Sequence, residues 1–281
     1  MSIWEFFVAL ILGAVEGLTE FAPVSSTGHM IIVDDLWLQS KEFLNPYVAN
    51  TFKIMIQLGS ILAVVVVFWR RFVDLLGLDK LFGKETIRTE GQSHLKLSQV
   101  IVGLLPAGVL GVLFEDYVDE YLFSVETVMI GLAAGAVLML IADWVSKKYG
   151  EPTVKTVDQI TYKQALIVGL FQCIALWPGF SRSGSTISGG VILGMSHRTA
   201  ADFTFIMAVP IMFGASALSL VKNLEFFTLD AVPFFLVGFI FAFLFALVTI
   251  RFFLKLIDKI KLVPFAIYRL VLVAIIYVLY F

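Results

Sequence analysis

The chain has 281 residues, 59% of them hydrophobic and 15% charged, with a mean hydropathy of +0.94 and a formal net charge of −2. Such a composition is far too apolar for a water-soluble globular enzyme, and without a basic excess it offers no electrostatic footprint for nucleic acid. Cys173 is the only cysteine, which excludes intramolecular disulfides and thiolate metal clusters.

Apolar runs of about 20 residues, enough for a hydrocarbon core roughly 30 Å thick, recur along nearly the whole length. One all-α integral membrane domain over residues 1–281 is therefore expected. The first run lacks a basic leader and a small-residue cleavage site, so it does not read as a removable signal peptide. It carries Glu16 and Glu20, four residues apart on one helix face, and reaches Pro23, after which come Ser25, Ser26, Thr27 and His29. The next span, 51–69, contains Gln57, a candidate to line a cavity. A loop from Arg70 to Lys96 holds six Lys/Arg. Spans near 98–115 and 127–144 follow, joined by a turn with Glu115, Asp116, Asp119, Glu120 and Glu126. Lys147, Lys148, Lys155 and Lys163 come next, then a shorter apolar stretch ending in "PGFSRSGST", Pro178 to Thr186. Spans near 203–221, 231–250 and 262–281 complete a set of six full transmembrane helices, the last two separated by an inner loop with Arg251, Lys255, Lys259 and Lys261.

By the positive-inside rule the basic loops are cytoplasmic and the acidic turn is outside. His94 and His197 are expected as solvated residues of inner loops, and Asp143 as an interfacial residue beside Lys147 and Lys148.

"ALILGAVEGLTEFAPVSSTGH" from Ala9 resembles "ALIVGLFQCIALWPGFSRSGST" from Ala165. Gly13 falls over Gly169, Glu16 over Gln172 and, after a one-residue shift, Pro23 over Pro178. Matched spans run in opposite directions by the loop charges, so the halves, 1–122 and 160–281, read as an inverted-topology repeat. The side count then requires each polar motif to enter the membrane and return, giving two re-entrant helical hairpins that meet near mid-bilayer. Irregular backbone at that depth is tolerated only inside protein or beside a wet cavity.

A carboxylate at a membrane helix centre costs roughly 2.5–3.5 kcal/mol on insertion scales, so two of them with a histidine and hydroxyls imply chemistry. In the second motif Arg182, flanked by Ser181 and Ser183 with Gly179 and Gly184 freeing the backbone, is suited to clamp phosphate oxygens. Together the motifs supply the parts for phosphoryl transfer.

"EGLTEFAPVSSTGH" together with "PGFSRSGST" closely resembles the bacterial undecaprenyl-diphosphate phosphatase family of the bacitracin-resistance type, over essentially the whole chain. Ala22 stands where Leu is expected and Ser185 where Ala is expected, departures that touch packing rather than chemistry. The resemblance implies a phosphatase of the bacterial inner (cell) membrane with its active site open to the outer face. It would remove the terminal phosphate of undecaprenyl diphosphate and so recycle the lipid carrier for cell-wall synthesis. It also implies a polyprenyl pyrophosphate as substrate and a divalent cation, Mg or Ca, as cofactor; a homodimer is left open. Functional weight falls on Glu16, Glu20, Ser25, Ser26, Thr27, His29, Gly179, Ser181, Arg182, Ser183 and Thr186.

From there, Ser26 is expected to attack the terminal phosphorus while Arg182 and the Ser181, Ser183 and Thr186 hydroxyls neutralise the phosphoryl oxygens. His29, near neutrality and three residues on, is the better candidate base, with Glu16 and Glu20 orienting it or holding the cation. Direct attack by water on such a cation, without a phosphoserine, competes. A secondary transporter or flippase of the lipid carrier is the rival class, because inverted repeats and broken helices are common there.

Overall fold

The computed structural model describes residues 1–78, 94–222 and 229–281. Among them it is helical, and the one β-type contact is an isolated bridge between Val154 and Met195. The first half opens with α1 (Ile3–Thr19), then α2 (Ser26–Met30) and a π-helical stretch (Ile31–Leu38). Next come the short α3 (Ser40–Phe43), α4 (Pro46–Val67), α5 (Trp69–Leu75), α6 (Leu97–Tyr121) and α7 (Val125–Tyr149). The second half has α8 (Tyr162–Ile174), α9 (Arg182–Ile192), α10 (His197–Lys222), α11 (Val232–Ile260) and α12 (Val263–Tyr280).

Five of these helices are long and apolar enough to cross a membrane, and the pair formed by α4 and α5, bent by 80°, makes a sixth if it counts as one span. Their outer surfaces carry large apolar side chains such as Leu113, Val248 and Val278 in the open, as a lipid-facing surface requires. This is a multi-pass helical membrane protein. At about 1.5 Å per residue, α1 reaches roughly 25 Å and α8 roughly 20 Å, both short of a hydrocarbon core of about 30 Å.

The starts of α1 and α8 are set by reciprocal caps. Ser2 Oγ accepts from Glu5 N–H while the Glu5 carboxylate accepts from Ser2 N–H, and Thr161 and Gln164 do the same for α8. Each of these helices then lies against a long helix of the other half, α1 on α11 and α8 on α6. The contact is backbone on backbone: a methyl at Gly13 would collide with the Gly238 carbonyl, and one at Gly169 with the Gly103 carbonyl.

Three expectations change on contact with the structure. The acidic stretch 115–120 continues α6, so the turn between α6 and α7 is only residues 122–124. Arg251, Lys255 and Lys259 lie on α11, which runs unbroken to Ile260; they project as an exposed basic rim of a helix rather than from a loop. His94 is exposed as expected, but His197 and Asp143 are not solvated. Asp143, 1% exposed, receives His197 Nε2 at 2.6 Å and the backbone N–H groups of Leu262 and Val263 at 2.9 Å each. The sharp turn between α11 and α12 leaves orphan N–H donors, and a buried carboxylate from a third helix satisfies them. The stretch 80–90, with Lys80, Lys84 and Arg88, lies outside the described residues.

On the same side as that turn, Asp158 accepts a two-pronged bond from Arg71 (2.8 and 2.9 Å) and one from Leu95 N–H (3.0 Å). Burial alone would push this carboxyl up, but the Arg71 fork and the Leu95 N–H outweigh it and hold it below its ordinary range. A depressed folded value means stabilisation that is present above the unfolded pKa of about 3.9 and lost as pH falls through the folded one. Asp158→Asn is expected to cost about 1–2 kcal/mol at neutral pH. Thermal unfolding in detergent should show that deficit shrinking toward zero as pH is lowered below the carboxylate range.

Candidate functional site

α1 ends at Thr19, and Glu20, still helical in conformation, caps it with its N–H bonded to the Glu16 carbonyl. Residues 20–23 turn, and α2 begins at Ser26 with Ser25 as its cap. Ser25 has φ 69° and ψ 104°, and its Oγ accepts from Gly28 N–H. The second motif repeats this: Ser181, φ 73° and ψ 116°, caps α9 and accepts from Gly184 N–H at 3.2 Å. Non-glycine residues at such positive φ cost on the order of 1–3 kcal/mol and persist only when the surroundings over-determine them. The residue after each strained cap, Ser26 in one case and Arg182 in the other, is thereby thrown to the start of a helix.

These two starts meet. Arg182 Nη2 donates to Glu20 Oε1 at 3.0 Å, and Ser26 Oγ donates to Glu20 Oε2 at 2.8 Å. The Glu20 and Arg182 side chains are 11% and 15% exposed. Glu16, one turn before Glu20, is 3% exposed, and its Oε1 has no hydrogen-bond partner; neither does the buried Arg182 Nη1. A ligand offering both oxyanions and a bound cation would satisfy both orphans.

A cavity of about 720 Å³ reaches this cluster, with Glu16, Ser26, Thr27 and Gln57 among its lining residues. Gln57 thus takes the role anticipated for it. His29 is half-buried and its ring is engaged at both nitrogens, Nδ1 with the Ser25 carbonyl and Nε2 with the Tyr268 hydroxyl, 2.7 Å each. The Ser26 proton therefore points to Glu20 and not to His29.

The second motif is built more as scaffold than as lining. Ser183 is 1% exposed and donates to the Ala22 carbonyl at 3.2 Å, tying one motif to the other. Ser181 pairs with Ser183 at 3.2 Å. Thr186 donates to the Arg182 carbonyl at 2.8 Å and accepts from Thr204 at 2.9 Å. Gly179, at φ 86°, lies so close to Val128 that a side chain would strike its carbonyl.

The carboxylate oxygens suit a hard divalent cation, which is commonly held by one or two carboxylates and completed by substrate phosphates. Glu16, with its orphan oxygen, fits that role better than Glu20, whose oxygens both carry bonds. Among the described residues no group of three or more His, Cys, Asp and Glu side chains is poised around one point, so substrate oxygens would have to complete the shell.

Two participants escaped the sequence reading. Tyr268 holds His29, and its neighbour Arg269 is fully buried, donating to the Gly179 and Gly131 carbonyls at 2.9 and 3.2 Å, directly behind the turn that carries Ser181 and Arg182. A cation within an apolar span is a signal in its own right; it was overshadowed by the polar motifs.

A multi-pass helical membrane protein with a charged, hydroxyl-rich cleft between two broken helical segments is the class that fold and site define. The chain belongs to the family of the bacitracin resistance protein BacA, whose model matches residues 9–275. It is 71% identical to an undecaprenyl-diphosphatase of Geobacillus sp. (strain WCH70) and 67% identical to one of Exiguobacterium sibiricum, over 100% and 99% of both chains respectively. The undecaprenyl-diphosphatase of Bacillus subtilis (strain 168) is 65% identical over 97% of each chain.

Arg269→Met removes two bonds to carbonyls, worth about 1–3 kcal/mol, but also relieves a buried cation, so the melting point should move little. What should change is the turn: hydrogen exchange at residues 180–185 is expected to rise at least about tenfold by local opening, and unchanged protection would show that Arg269 does not hold it.

Proposed function

We propose that the chain is an undecaprenyl-diphosphatase that cleaves the terminal phosphate from the lipid diphosphate and returns the monophosphate carrier to cell-wall synthesis. The observation that carries this is the Ser26–Glu20–Arg182 chain of contacts beside a cavity that Ser26 lines: a hydroxyl already donating to a carboxylate, beside a guanidinium with an unpartnered nitrogen. Relatives this similar over full length, bearing that name, support the same reading.

Ser26 Oγ attacks the terminal phosphorus as Glu20 Oε2 takes its proton. The bond to the bridging oxygen breaks, and the lipid monophosphate leaves with that oxygen and its electron pair. Water then hydrolyses the phosphoserine, its OH going to phosphorus and its other proton to the Ser26 oxygen, and Glu20 releases the proton it took to the departing phosphate or to solvent. Arg182 turns its fork to the phosphoryl oxygens, which frees the Glu20 carboxylate to hold the Ser26 proton. His29, held by Ser25 and Tyr268, orients the segment bearing Ser26. Ser25, Gly179, Ser181, Ser183 and Thr186 keep the two helix starts in register, and Thr27 lines the cavity beside Ser26. A divalent cation, Mg or Ca, held by Glu16 with help from Glu20, would neutralise the diphosphate oxygens.

The same reading makes the two motifs re-entrant hairpins in an inverted repeat of halves 1–122 and 160–281, beside six full spans. Support comes from the short α1 and α8, the matching strained caps Ser25 and Ser181, and the paired glycine contacts of those helices with α11 and α6. Ser124 and Lys222 border the cavity on the side away from the basic Arg70, Lys147 and Lys148, which supports an opening to the outer face of the bacterial cell membrane.

Purified protein in detergent is expected to release inorganic phosphate from a polyprenyl diphosphate and to lose that activity with a chelator. Glu20→Gln should lower kcat by roughly 10²–10⁴, and His29→Gln by clearly less; equal losses would return the base to His29. Rapid quench should trap a phosphoprotein that Ser26→Ala abolishes, and full turnover by Ser26→Ala would overturn nucleophilic attack. Flux of lipid across sealed vesicles with no phosphate release would favour a transporter.

A further inference from the structure

The cavity that ends at Ser26 is far larger than one phosphate needs, at about 720 Å³. Glu16 and Ser26 share this lining with residues of α4, so a diphosphate with its terminal phosphorus at Ser26 has α4 within the same cavity for its second phosphate. There the lining residues Lys53 and Gln57 stand four apart on one helix face. Lys53 is held from behind by Asp34, in the π-helical stretch that follows the helix of Ser26. The ammonium lies 3.5 Å from Asp34 Oδ2, the carboxylate is 1% exposed, and its other oxygen accepts Ser40 N–H at 3.0 Å. The pair is ionic without a hydrogen bond, Asp34 Oδ2 having no donor, so the ammonium keeps donors to turn to a ligand. Asp34 balances the charge of Lys53 and fixes its place, while the Lys53 side chain keeps 34% of its surface open. Lys41, also on the lining, is paired with Asp35 at the same distance but both are partly in solvent, and nothing buried anchors them. The lining also carries apolar residues, Ile31, Val125 and Val128 among them, beside polar ones such as Asp35 and Ser124.

We propose that Lys53, with Gln57, forms the subsite for the phosphate that stays on the lipid, and that the Ile31, Val125 and Val128 wall receives the first isoprene units. The inference rests on the diphosphatase reading above and deepens it. When the Ser26 oxygen bonds to the terminal phosphorus, the electron pair of the broken bond moves to the bridging oxygen, which becomes an oxygen of the lipid monophosphate. An ammonium on that phosphate neutralises the charge as it develops. The same contact gives selectivity: a ligand with two linked phosphates spans both subsites, whereas free phosphate occupies only the Ser26 end.

The test uses the full chain in detergent with farnesyl diphosphate as substrate and farnesyl monophosphate and inorganic phosphate as inhibitors. Lys53→Met should raise KM for the diphosphate and Ki for the monophosphate at least about tenfold each, leave Ki for inorganic phosphate unchanged, and Lys53→Arg should stay within about threefold of wild type. Unchanged KM and monophosphate Ki in Lys53→Met would overturn the subsite, and so would an equal weakening of inorganic phosphate. If Lys53→Met proves too unstable to assay, Gln57→Leu must weaken the monophosphate selectively, and failure to do so overturns the proposal equally. Should the wild-type protein release no phosphate at all, the diphosphatase reading falls. The subsite is then judged by direct titration with farnesyl monophosphate, where undiminished binding by Lys53→Met counts against it.

Discussion

Everything at the site depends on one ion pair, Arg182 to Glu20, between groups 162 residues apart in sequence. Each partner sits at one end of a short helix and is largely withdrawn from water. Unpaired, either charge would carry a desolvation cost of several kcal/mol. Paired, they bring two irregular turns together where neither could stand alone. Ser26 is drawn into the same contact, so the hydroxyl, the carboxylate and the guanidinium are arranged before any ligand arrives. Preorganisation of this kind is where charge-stabilising sites gain most of their effect.

The two turns share a backbone device and differ in what it presents. A serine in a strained conformation caps a helix in both, and a glycine three residues later supplies the N–H that its hydroxyl accepts. At the next position one turn places Ser26 and the other Arg182, giving a hydroxyl and a guanidinium that share the Glu20 carboxylate. The buried hydroxyls of Ser183 and Thr186 go to main-chain carbonyls, and Arg269 reaches the same turn from α12. The strain at Ser25 and Ser181 is sustained by this surrounding network rather than by the residues themselves.

The cavity joins that chemistry to the membrane. Its lining includes Glu16 and Ser26, the Asp34-paired Lys53 of α4, and apolar residues of α7 and of the segment after α2. The long helices α6, α7, α10, α11 and α12 supply the rigid frame, their lipid-facing sides bare and their inner sides packed on small residues such as Ala136, Ala142 and Ala246.

The sequence by itself determined the class and most of the spans, because a membrane helix announces itself through some twenty consecutive apolar residues and needs no partner to be recognised. It also marked Glu16, Glu20, Ser26 and Arg182, since ionisable and hydroxyl groups are conspicuous in an apolar run. Only the tertiary structure decided which groups face which. Glu20 rather than His29 takes the Ser26 hydrogen bond, because the turn at 20–23 folds the carboxylate back over the start of α2 while His29 is claimed by Ser25 and Tyr268. Asp143 and His197 are a buried pair and not solvated residues, because the turn into α12 needed an acceptor from a distant helix. Local pattern reports what a segment can bury, whereas hydrogen-bond partners far apart in the chain are chosen only when the helices close on one another.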